Sequence, residues 1–400
     1  PGAAPEALAA GIAPGPALVV DALLGTGATG EPRGPIADAI RSVLAAGAPV
    51  VAADVPSGVD ASTGEVAGLA IAARATATFH AAKPGLWIEP GRAHAGTVRV
   101  VEIGIPPGAP GAAQVGLIRD EVLSLLPRRE SGSTKFTSGQ VLVLGGSPGL
   151  TGAPCMAAMA AQRSGAGYVT ACIPASLSAI FEARLLEAMT IALPDRDGAL
   201  TPAGLPRLLE AAGRGGALVA GPGIGRSEPA LELVRAAVGG VSLPIVLDAD
   251  GLSAYRGEVE ALRGERAAPI VLTPHEGELG RLLGVPAGEV AARRLEHARE
   301  AATRSGAVVV LKGDDTLVAE PAGAVAVSPG ATPGLATAGT GDVLAGVIGA
   351  LLAGGVDAFT AAAAGVRLHA LAGIRAAERR GRDGMIASDA IEELAAVRTR

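Results

Sequence analysis

Short, largely apolar runs recur along this chain of 400 residues, and most of them end in glycine or polar residues. The run Gln140–Leu144, for example, is followed by Gly145-Gly146-Ser147 and then by small residues at 153–164 that suit a buried helix. Strands buried on both faces lack polar alternation, and parallel strands need helical crossovers. The pattern therefore predicts an α/β fold with parallel sheets, with further strands at 17–24, 49–54, 75–80, 97–103, 168–173, 217–220, 244–248, 269–273, 308–312 and 316–319.

The composition favours a small-molecule enzyme over a nucleic-acid or membrane protein. Apolar residues make up 49% of the chain and aromatic residues only 2%, and the net charge of -6 provides no cationic surface for nucleic acid. The longest apolar stretch, 343–356, is shorter than the roughly 20 residues that span a bilayer, so we expect a buried helix there and no membrane partner. Cys155 and Cys172 form neither a CxxC pair nor a ligand cluster, which predicts a reducing, cytoplasmic location.

A turn-rich break at 105–111 separates two sets of strand and helix signals. We predict a first domain at 1–107, a connecting segment at 108–130 and a second domain at 131–400. The first set contains one clear crossover helix, at 36–46, and therefore amounts to part of a doubly wound domain. Because the chain also begins at Pro1 rather than Met, we expect a fragment of a longer protein.

The strongest functional signal is the loop Thr337-Ala-Gly-Thr-Gly-Asp342, which opens the long apolar helix. A helix start exposes unpaired N–H groups, and Gly339 and Gly341 would let an anion approach the backbone next to Thr340. Asp342 would then lie beside a phosphate, where its carboxylate could accept a proton from an attacking hydroxyl. The alternative is that Asp342 is an ordinary helix N-cap after a glycine turn.

Polar residues also follow the other predicted strands, where ligands of open α/β sheets gather. His275 and Glu278 follow one strand, and Lys312-Gly-Asp-Asp-Thr316 follows another. Asp248 follows a third strand and could place a carboxylate near Mg²⁺. The structural alternatives are a core or capping histidine at His275, a solvated lysine at Lys312 and an Asx turn at Asp248. The sequence lacks the GxxxxGK[ST] motif of P-loop enzymes.

The segment Gly25-Thr-Gly-Ala-Thr-Gly30 matches the GxGxxG pattern of dinucleotide-binding folds, but we reject that interpretation. The third glycine should open the crossover helix, whereas Glu31-Pro-Arg-Gly-Pro35 postpones it. The segment could still form a loop that binds phosphate or substrate.

Together these residues resemble the bifunctional NAD(P)H-hydrate repair enzymes. The dehydratase half is matched by seven segments in order: Val143-Leu-Gly-Gly-Ser-Pro-Gly-Leu-Thr-Gly-Ala153, Gly165-Ala-Gly-Tyr-Val, Gly221-Pro-Gly-Ile-Gly225, Leu247-Asp-Ala-Asp-Gly-Leu252, Leu272-Thr-Pro-His-Glu-Gly-Glu278, Leu311-Lys-Gly-Asp-Asp-Thr316 and Ala338-Gly-Thr-Gly-Asp342. The resemblance implies a ribokinase-like, three-layer α/β/α domain, preceded by part of a Rossmann-like epimerase domain.

For the dehydratase half, the resemblance implies ADP-dependent dehydration of (S)-NAD(P)H-hydrate with Mg²⁺ and the release of AMP and phosphate. Asp342 would be the base, and Ala153, Gly223, His275 and Asp342 would contact the hydrate. Glu278 is expected near Mg²⁺. The adenine nucleotide would be held by Lys312, Gly313, Asp314, Asp315, Thr316, Gly339, Thr340 and Gly341.

For the epimerase half, the matching segments are Val20-Asp-Ala-Leu-Leu-Gly-Thr-Gly27 and Val51-Ala-Ala-Asp-Val-Pro-Ser-Gly-Val-Asp60. The resemblance implies K⁺ at Asp21 and Ser57. Substrate contacts would come from Gly25, Thr26, Gly27, Ala28, Thr29, Gly30, Glu31 and Asp54. The family's Asn-Asn-Gly-Gly-Asp substrate loop is absent from this sequence, which puts epimerase activity in doubt.

The leading hypothesis is therefore an ADP-dependent NAD(P)H-hydrate dehydratase with a truncated epimerase domain. Its alternative is a ribokinase-like kinase of a small vitamin precursor, such as hydroxyethylthiazole. The choice between ADP and ATP, the choice between NADH-hydrate and NADPH-hydrate, and the formation of a homo-oligomer are left open by the sequence.

Overall fold

The computed structural model describes residues 17–106, 113–264 and 268–398, and the chain divides into two compact units. The first unit comprises the residues up to Gly116 together with Gly288–His297, and the second comprises Leu117–Ala287 and Ala298–Arg400. Residues 107–112, within the predicted break and connecting segment, lie outside the described residues. Parallel strands dominate the sheets of both units, which confirms the predicted α/β class.

The first unit contains a four-stranded parallel sheet in the order β1-β2-β3-β4. Its helix α1 begins with Gly34-Pro35, where the fixed φ of proline suits a helix start, and it ends before Gly47, whose φ is 63°. Ile40 and Val43 on its inner face pack in one core with sheet residues. The elements are β1 Val19–Asp21, α1 Gly34–Ala46, β2 Val50–Ala53, β3 Ala75–Phe79, α2 Gly91–Ala95 and β4 Thr97–Val101.

The second unit is organised on a ten-stranded sheet in the order β5-β16-β15-β14-β13-β12-β11-β6-β7-β8. A separate two-stranded sheet pairs β9 with β10. The strands are β5 Val115–Leu117, β6 Gln140–Leu144, β7 Tyr168–Pro174, β8 Met189–Leu193, β9 Asp195–Arg196, β10 Ala199–Leu200, β11 Ala217–Ala220, β12 Ile245–Leu247, β13 Ile270–Leu272, β14 Val308–Leu311, β15 Leu317–Ala319 and β16 Val325–Val327.

This larger sheet is parallel from β14 across to β8, but β15 runs antiparallel to both β14 and β16. The sheet is therefore mixed at this side. The physical reason is the length of the connection: only Lys312 to Thr316 join β14 to β15, and a turn this short can link antiparallel strands only.

Small residues allow the helices of the second unit to pack closely. Helix α10 is buried along most of its length and packs against α3, α11 and β11. A Cβ on Gly346 would lie 2.1 Å from the carbonyl oxygen of Ala157, so only glycine fits there. The helices after β6 are α3 Gly152–Arg163, α4 Ser178–Arg184, α5 Leu205–Ala212, α6 Glu228–Gly240, α7 Glu276–Leu283, α8 Ala287–Ala292, α9 Arg294–Ser305, α10 Thr340–Ala353, α11 Ala358–Arg380 and α12 Ala387–Arg398.

Within the described ranges, no helix is both long and apolar enough to cross a membrane.

The order of the strands decides where the candidate site lies. Strands β6, β11, β12, β13 and β14 are adjacent and parallel, so their carboxyl ends meet at one edge of the sheet. The turns that follow them carry the glycines and charged residues singled out in the sequence. This edge is where an open α/β sheet binds its ligands.

Candidate active site

Lys312 forms the electrostatic centre of this edge. Its Nζ lies 3.1 Å from Oδ1 of Asp248 and 3.6 Å from Oε2 of Glu278. Asp248 is only 1% exposed, and its Oδ1 also accepts a hydrogen bond of 2.7 Å from the hydroxyl of Thr273. Burial disfavours the charged form of Lys312, but the attraction of Asp248 and Glu278 outweighs it and raises the pKa of the ammonium group. Lys312 is therefore held in its charged form at this edge.

Asp342 lies in the first turn of α10, within the electrostatic reach of these three groups. Burial raises the pKa of its carboxyl to about 7, with a further contribution from the negative charge of Asp248, while Lys312 opposes the shift. A carboxylate with a pKa near neutrality is a stronger base than an exposed one and is still partly ionised at pH 7. Asp342 can therefore accept a proton from a hydroxyl group.

The start of α10 faces this ammonium group. Gly339 occupies the N-cap with a φ of 92°, and no side chain caps the helix. The interpretation of Asp342 as the N-cap is therefore wrong, because the helix already begins at Thr340. A Cβ on Gly341 would lie 3.4 Å from Nζ of Lys312. Unpaired N–H groups and the ammonium group consequently converge on a place suited to phosphate.

A cavity of about 550 Å³ extends from this point, a volume typical of small-ligand sites. Six of the eight residues predicted to hold the nucleotide line it, whereas Gly339 and Asp315 do not, and Asp315 is 1% exposed. The lining residues are Lys312, Gly313, Asp314, Thr316, Ser328, Ala331, Thr332, Pro333, Leu335, Ala336, Thr340, Gly341, Leu344, Val366, His369 and Ala370.

Ala153 and Gly223, both predicted to contact the hydrate, are brought together by the turns after β6 and β11. Gly223 has a φ of 61°, and a Cβ there would lie 3.2 Å from Cβ of Ala153 and 2.3 Å from the carbonyl oxygen of Leu150. The hydroxyl of Ser147 donates a hydrogen bond of 2.9 Å to the carbonyl oxygen of Gly223. Glycine is required here by both the backbone conformation and the close approach.

His275 has the geometry of a helix-capping residue, which was the structural alternative for this histidine. Its Nδ1 accepts a hydrogen bond of 3.0 Å from the N–H of Gly277, and its own N–H donates to Oε2 of Glu278 at 2.9 Å. This reciprocal pair is a capping box at the start of α7. The side chain is 55% exposed, so capping leaves room for a ligand at its outer edge.

In the first unit the predicted ion ligands Asp21 and Ser57 are buried and in direct contact. The hydroxyl of Ser57 donates to Oδ1 of Asp21 at 2.7 Å, and its N–H donates to Oδ2 at 2.8 Å. The carboxylate is therefore already hydrogen-bonded within the chain. Asp54, by contrast, pairs with Lys83, whose Nζ lies 2.6 Å from Oδ1.

The loop after β1 borders a smaller cavity of about 250 Å³ in the first unit. Of the residues predicted to contact substrate there, Ala28, Thr29, Gly30 and Glu31 line it, and Gly25, Thr26, Gly27 and Asp54 do not.

Three residues of these sites were not singled out for their observed roles. Asp248 was weighed as a metal ligand or an Asx turn, and its position at a strand end was the signal that could have paired it with Lys312. Lys83, the partner of Asp54, and His369, which lines the larger cavity, carry no recognisable motif.

Comparison with known proteins identifies the family. Residues 141–396 match the family model described as NAD(P)H-hydrate dehydratase, and residues 3–85 match the model described as YjeF-related protein N-terminus. The chain belongs to the NAD(P)H-hydrate dehydratase family. The resemblance inferred from the motifs is thereby confirmed.

Two relatives of this family member are bifunctional NAD(P)H-hydrate repair enzymes. The protein of Salinibacter ruber is 45% identical over 352 residues, which is 85% of this chain and 64% of the relative. The protein of Moorella thermoacetica is 42% identical over 381 residues, which is 94% of this chain and 72% of the relative. The chain thus spans about two thirds of their length.

Solved structures confirm the ribokinase-like fold. The ADP/ATP-dependent NAD(P)H-hydrate dehydratase from Bacillus subtilis, co-crystallised with ATP and Mg²⁺, is 30% identical with a TM-score of 0.62, covering 72% of this chain and 99% of that chain. A ribokinase-like superfamily protein from Enterococcus faecalis V583 is 24% identical with a TM-score of 0.61, covering 72% and 96%, and supports the fold alone.

Proposed function

We propose that the second unit catalyses the ADP-dependent dehydration of (S)-NAD(P)H-hydrate to NAD(P)H, with release of AMP and phosphate. The observation that carries this proposal is Asp342, a carboxyl group with a pKa of about 7 at an uncapped helix start that faces Lys312. Membership of the NAD(P)H-hydrate dehydratase family supplies the substrate.

The reaction needs phosphoryl transfer because hydroxide is a poor leaving group. Asp342 accepts the proton of the ring hydroxyl while the hydroxyl oxygen bonds to the terminal phosphorus of ADP and the bond to AMP breaks. Phosphate then leaves with the electron pair of the C–O bond, and a proton leaves the neighbouring ring carbon, which creates the double bond of NAD(P)H. Lys312 and the N–H groups at the start of α10 stabilise the negative charge on the transferring oxygens.

Mg²⁺ fits this site mainly as a ligand of the nucleotide. The described residues contain no group of three or more His, Cys, Asp or Glu side chains that could hold a metal ion. Mg²⁺ commonly uses one or two carboxylates together with substrate phosphates. Glu278 would supply such a carboxylate, although it also accepts the N–H of His275. The bound ion would neutralise charge on the phosphates.

The decisive test is the recovery of NADH absorbance from purified (S)-NADH-hydrate with ADP and Mg²⁺. Asp342→Asn should abolish this recovery, and Glu232→Gln, an exposed change on α6, should leave it unchanged. AMP and inorganic phosphate should appear in equal amounts. A stable phosphorylated alcohol would instead indicate a vitamin-precursor kinase, and inactivity with both ADP and ATP would overturn the proposal.

For the first unit we propose a residual epimerase-like site with K⁺ at Asp21 and Ser57 and with substrate near Gly25 to Glu31 and Asp54. The adjacent oxygens of Asp21 and Ser57 support the ion only in part, because they already bond to each other. Calorimetric titration with NADPH-hydrate, with and without K⁺, tests this site. A heat of binding that Asp21→Asn leaves unchanged would contradict the proposed K⁺ site.

A further inference from the structure

His369 is a buried polar residue that the proposed mechanism does not use. It lies on α11 and lines the larger cavity on the same helix face as Val366 and Ala370. Its Nε2 is buried and makes no hydrogen bond to any residue within 17–106, 113–264 or 268–398. Buried polar atoms almost always have a partner, so this nitrogen is suited to a group that enters the cavity.

The protonation of the ring defines what that group can be. Burial and the positive charge of Lys312 lower the pKa of His369 to about 4, against the opposing effect of a backbone hydrogen bond at Thr340, so the imidazole is neutral at pH 7. Because Nε2 makes no hydrogen bond, the hydrogen bond with the Thr340 backbone is made by Nδ1. With the proton on Nδ1, Nε2 presents a lone pair and requires a donor.

The surroundings of His369 suit a flat, uncharged ring. The phosphate end of the cavity lies at Lys312 and Gly341, which already supply positive charge and unpaired N–H groups. The remaining wall is largely apolar, formed by Ala331, Pro333, Leu335, Ala336, Val366 and Ala370. Ser328 and Thr332 add hydroxyl groups to this wall. Largely apolar walls with a few placed polar groups are typical of small-ligand sites, and such a wall suits an aromatic base.

We infer that His369 selects the base of the nucleotide, with Nε2 accepting a hydrogen bond from the exocyclic amino group of adenine. The inference rests on the proposed function, in which ADP occupies this cavity. A base with a carbonyl at that position places a second acceptor against Nε2, so no hydrogen bond forms and binding of that base is disfavoured.

The test compares the binding of ADP and inosine diphosphate by calorimetry on the full chain with Mg²⁺. The two nucleotides differ in the group at C6, amino or carbonyl, and in the hydrogen that hypoxanthine carries on the adjacent N1. The wild-type chain should bind ADP at least about fivefold more tightly. His369→Leu, which keeps the size of the side chain, should weaken ADP binding by about three- to tenfold and remove the preference. His369→Gln, whose amide both donates and accepts, should narrow the preference by improving binding of inosine diphosphate.

Leu368→Ala is the matched control. Leu368 is the neighbouring buried residue on α11 and does not line the cavity, so its truncation should lower the melting temperature without changing the ADP preference. An unchanged ratio of the two affinities in both His369→Leu and His369→Gln would overturn the inference. If the wild-type chain binds ADP selectively but fails to dehydrate the hydrate, the proposed function falls and the base contact stands. If it binds no ADP, both fall.

Discussion

Lys312 and Asp248, which are 64 residues apart in the sequence, form an ion pair of 3.1 Å at the edge of the large sheet. Asp248 follows β12 and Lys312 follows β14. The order β12-β13-β14 places the ends of these strands at the same edge of the sheet. Because Asp248 is 1% exposed, loss of Lys312 would leave a buried carboxylate without its ion-pair partner.

Lys312→Met should therefore destabilise the second unit as well as weaken nucleotide binding. We expect a loss of about 3–5 kcal/mol in the free energy of unfolding, because Asp248 is left as a buried and unpaired charge. Adding Asp248→Asn to the same chain should recover part of the loss. Urea unfolding followed by circular dichroism measures both, and Arg382→Met, which breaks an exposed pair with Asp383, should cost less than about 1 kcal/mol. If Lys312→Met and the double variant lose the same free energy of unfolding, the unpaired charge of Asp248 is not the cause of the loss.

The charge of Asp248 also affects the pKa of Asp342, the proposed catalytic base. It is the second cause of the raised pKa of Asp342, after burial, so Asp248→Asn should lower that pKa below about 7. For the wild-type chain, kcat/KM should fall as the pH decreases through about 7, because protonated Asp342 cannot accept a proton. In Asp248→Asn the acidic limb should move to lower pH. A profile that does not move would show that Asp248 acts on Lys312 alone.

The same raised pKa has a consequence for stability. A carboxyl whose pKa is higher in the folded state than its usual 3.8 destabilises the fold as it ionises, so the penalty grows between about pH 4 and pH 7 and is complete above pH 7. Asp342→Asn removes this penalty. We expect the inactive variant to be more stable than the wild type by about 1–3 kcal/mol at pH 8 and equally stable at pH 4. Urea unfolding at the two pH values tests this, and a gain that is equal at both would exclude ionisation as its cause.

Strands of the central sheet were predictable because they are short apolar runs that end in glycine or polar residues. Gln140–Leu144 and Ala217–Ala220 were predicted with their observed bounds. The strands β5, β8 and β16 were not predicted, and all three lie at or near the edges of the sheet. Met189–Leu193 is only partly buried, so its sequence carries neither a continuous apolar run nor a clear alternation.

The site was predictable as far as strand ends and helix starts define it. Lys312 stands at the end of β14 and Asp342 at the start of α10, and the fold brings the two side chains within electrostatic reach of each other. His369 was not predictable, because it lies inside an alanine-rich helix and reaches the cavity only through the packing of α11 near α10. The pairing of Lys312 with Asp248 likewise depends on strand order, which a single sequence does not state.

The close approach at Gly223 predicts a steric cost beyond that of its backbone conformation. Gly223→Ala would place a Cβ 2.3 Å from the carbonyl oxygen of Leu150, in addition to the strain of a φ of 61°. Gly215 is the matched control, since it has a φ of 82° but open space around its Cβ position. Gly215→Ala should cost about 1 kcal/mol, and Gly223→Ala about 2–4 kcal/mol together with loss of hydrate binding. Thermal unfolding and substrate titration measure the two effects, and equal costs would show that the loop at Leu150 yields without strain.

The ion pair of Asp54 and Lys83 makes a separate prediction for the first unit. Burial disfavours the ionised form of Asp54, but the hydrogen bond and charge of Lys83, with the N–H of Phe79, outweigh it and lower the pKa of the carboxyl. A lowered pKa contributes stability that is present above the usual value of 3.8 and is lost as the pH falls through the folded-state pKa. Lys83→Met should therefore destabilise the unit by about 1 kcal/mol at pH 7 and by less at pH 3.

Trp87, the single tryptophan of the chain, lies in this unit and reports its unfolding by fluorescence. Asp54→Asn serves as the control, because asparagine tolerates the left-handed φ of 71° that Asp54 adopts while it removes the charge. In the Asp54→Asn background, Lys83→Met should lose most of its effect at pH 7. A cost that is the same at pH 3 and pH 7 in both backgrounds would mean that the lysine stabilises the unit through packing of its alkyl chain rather than through its charge.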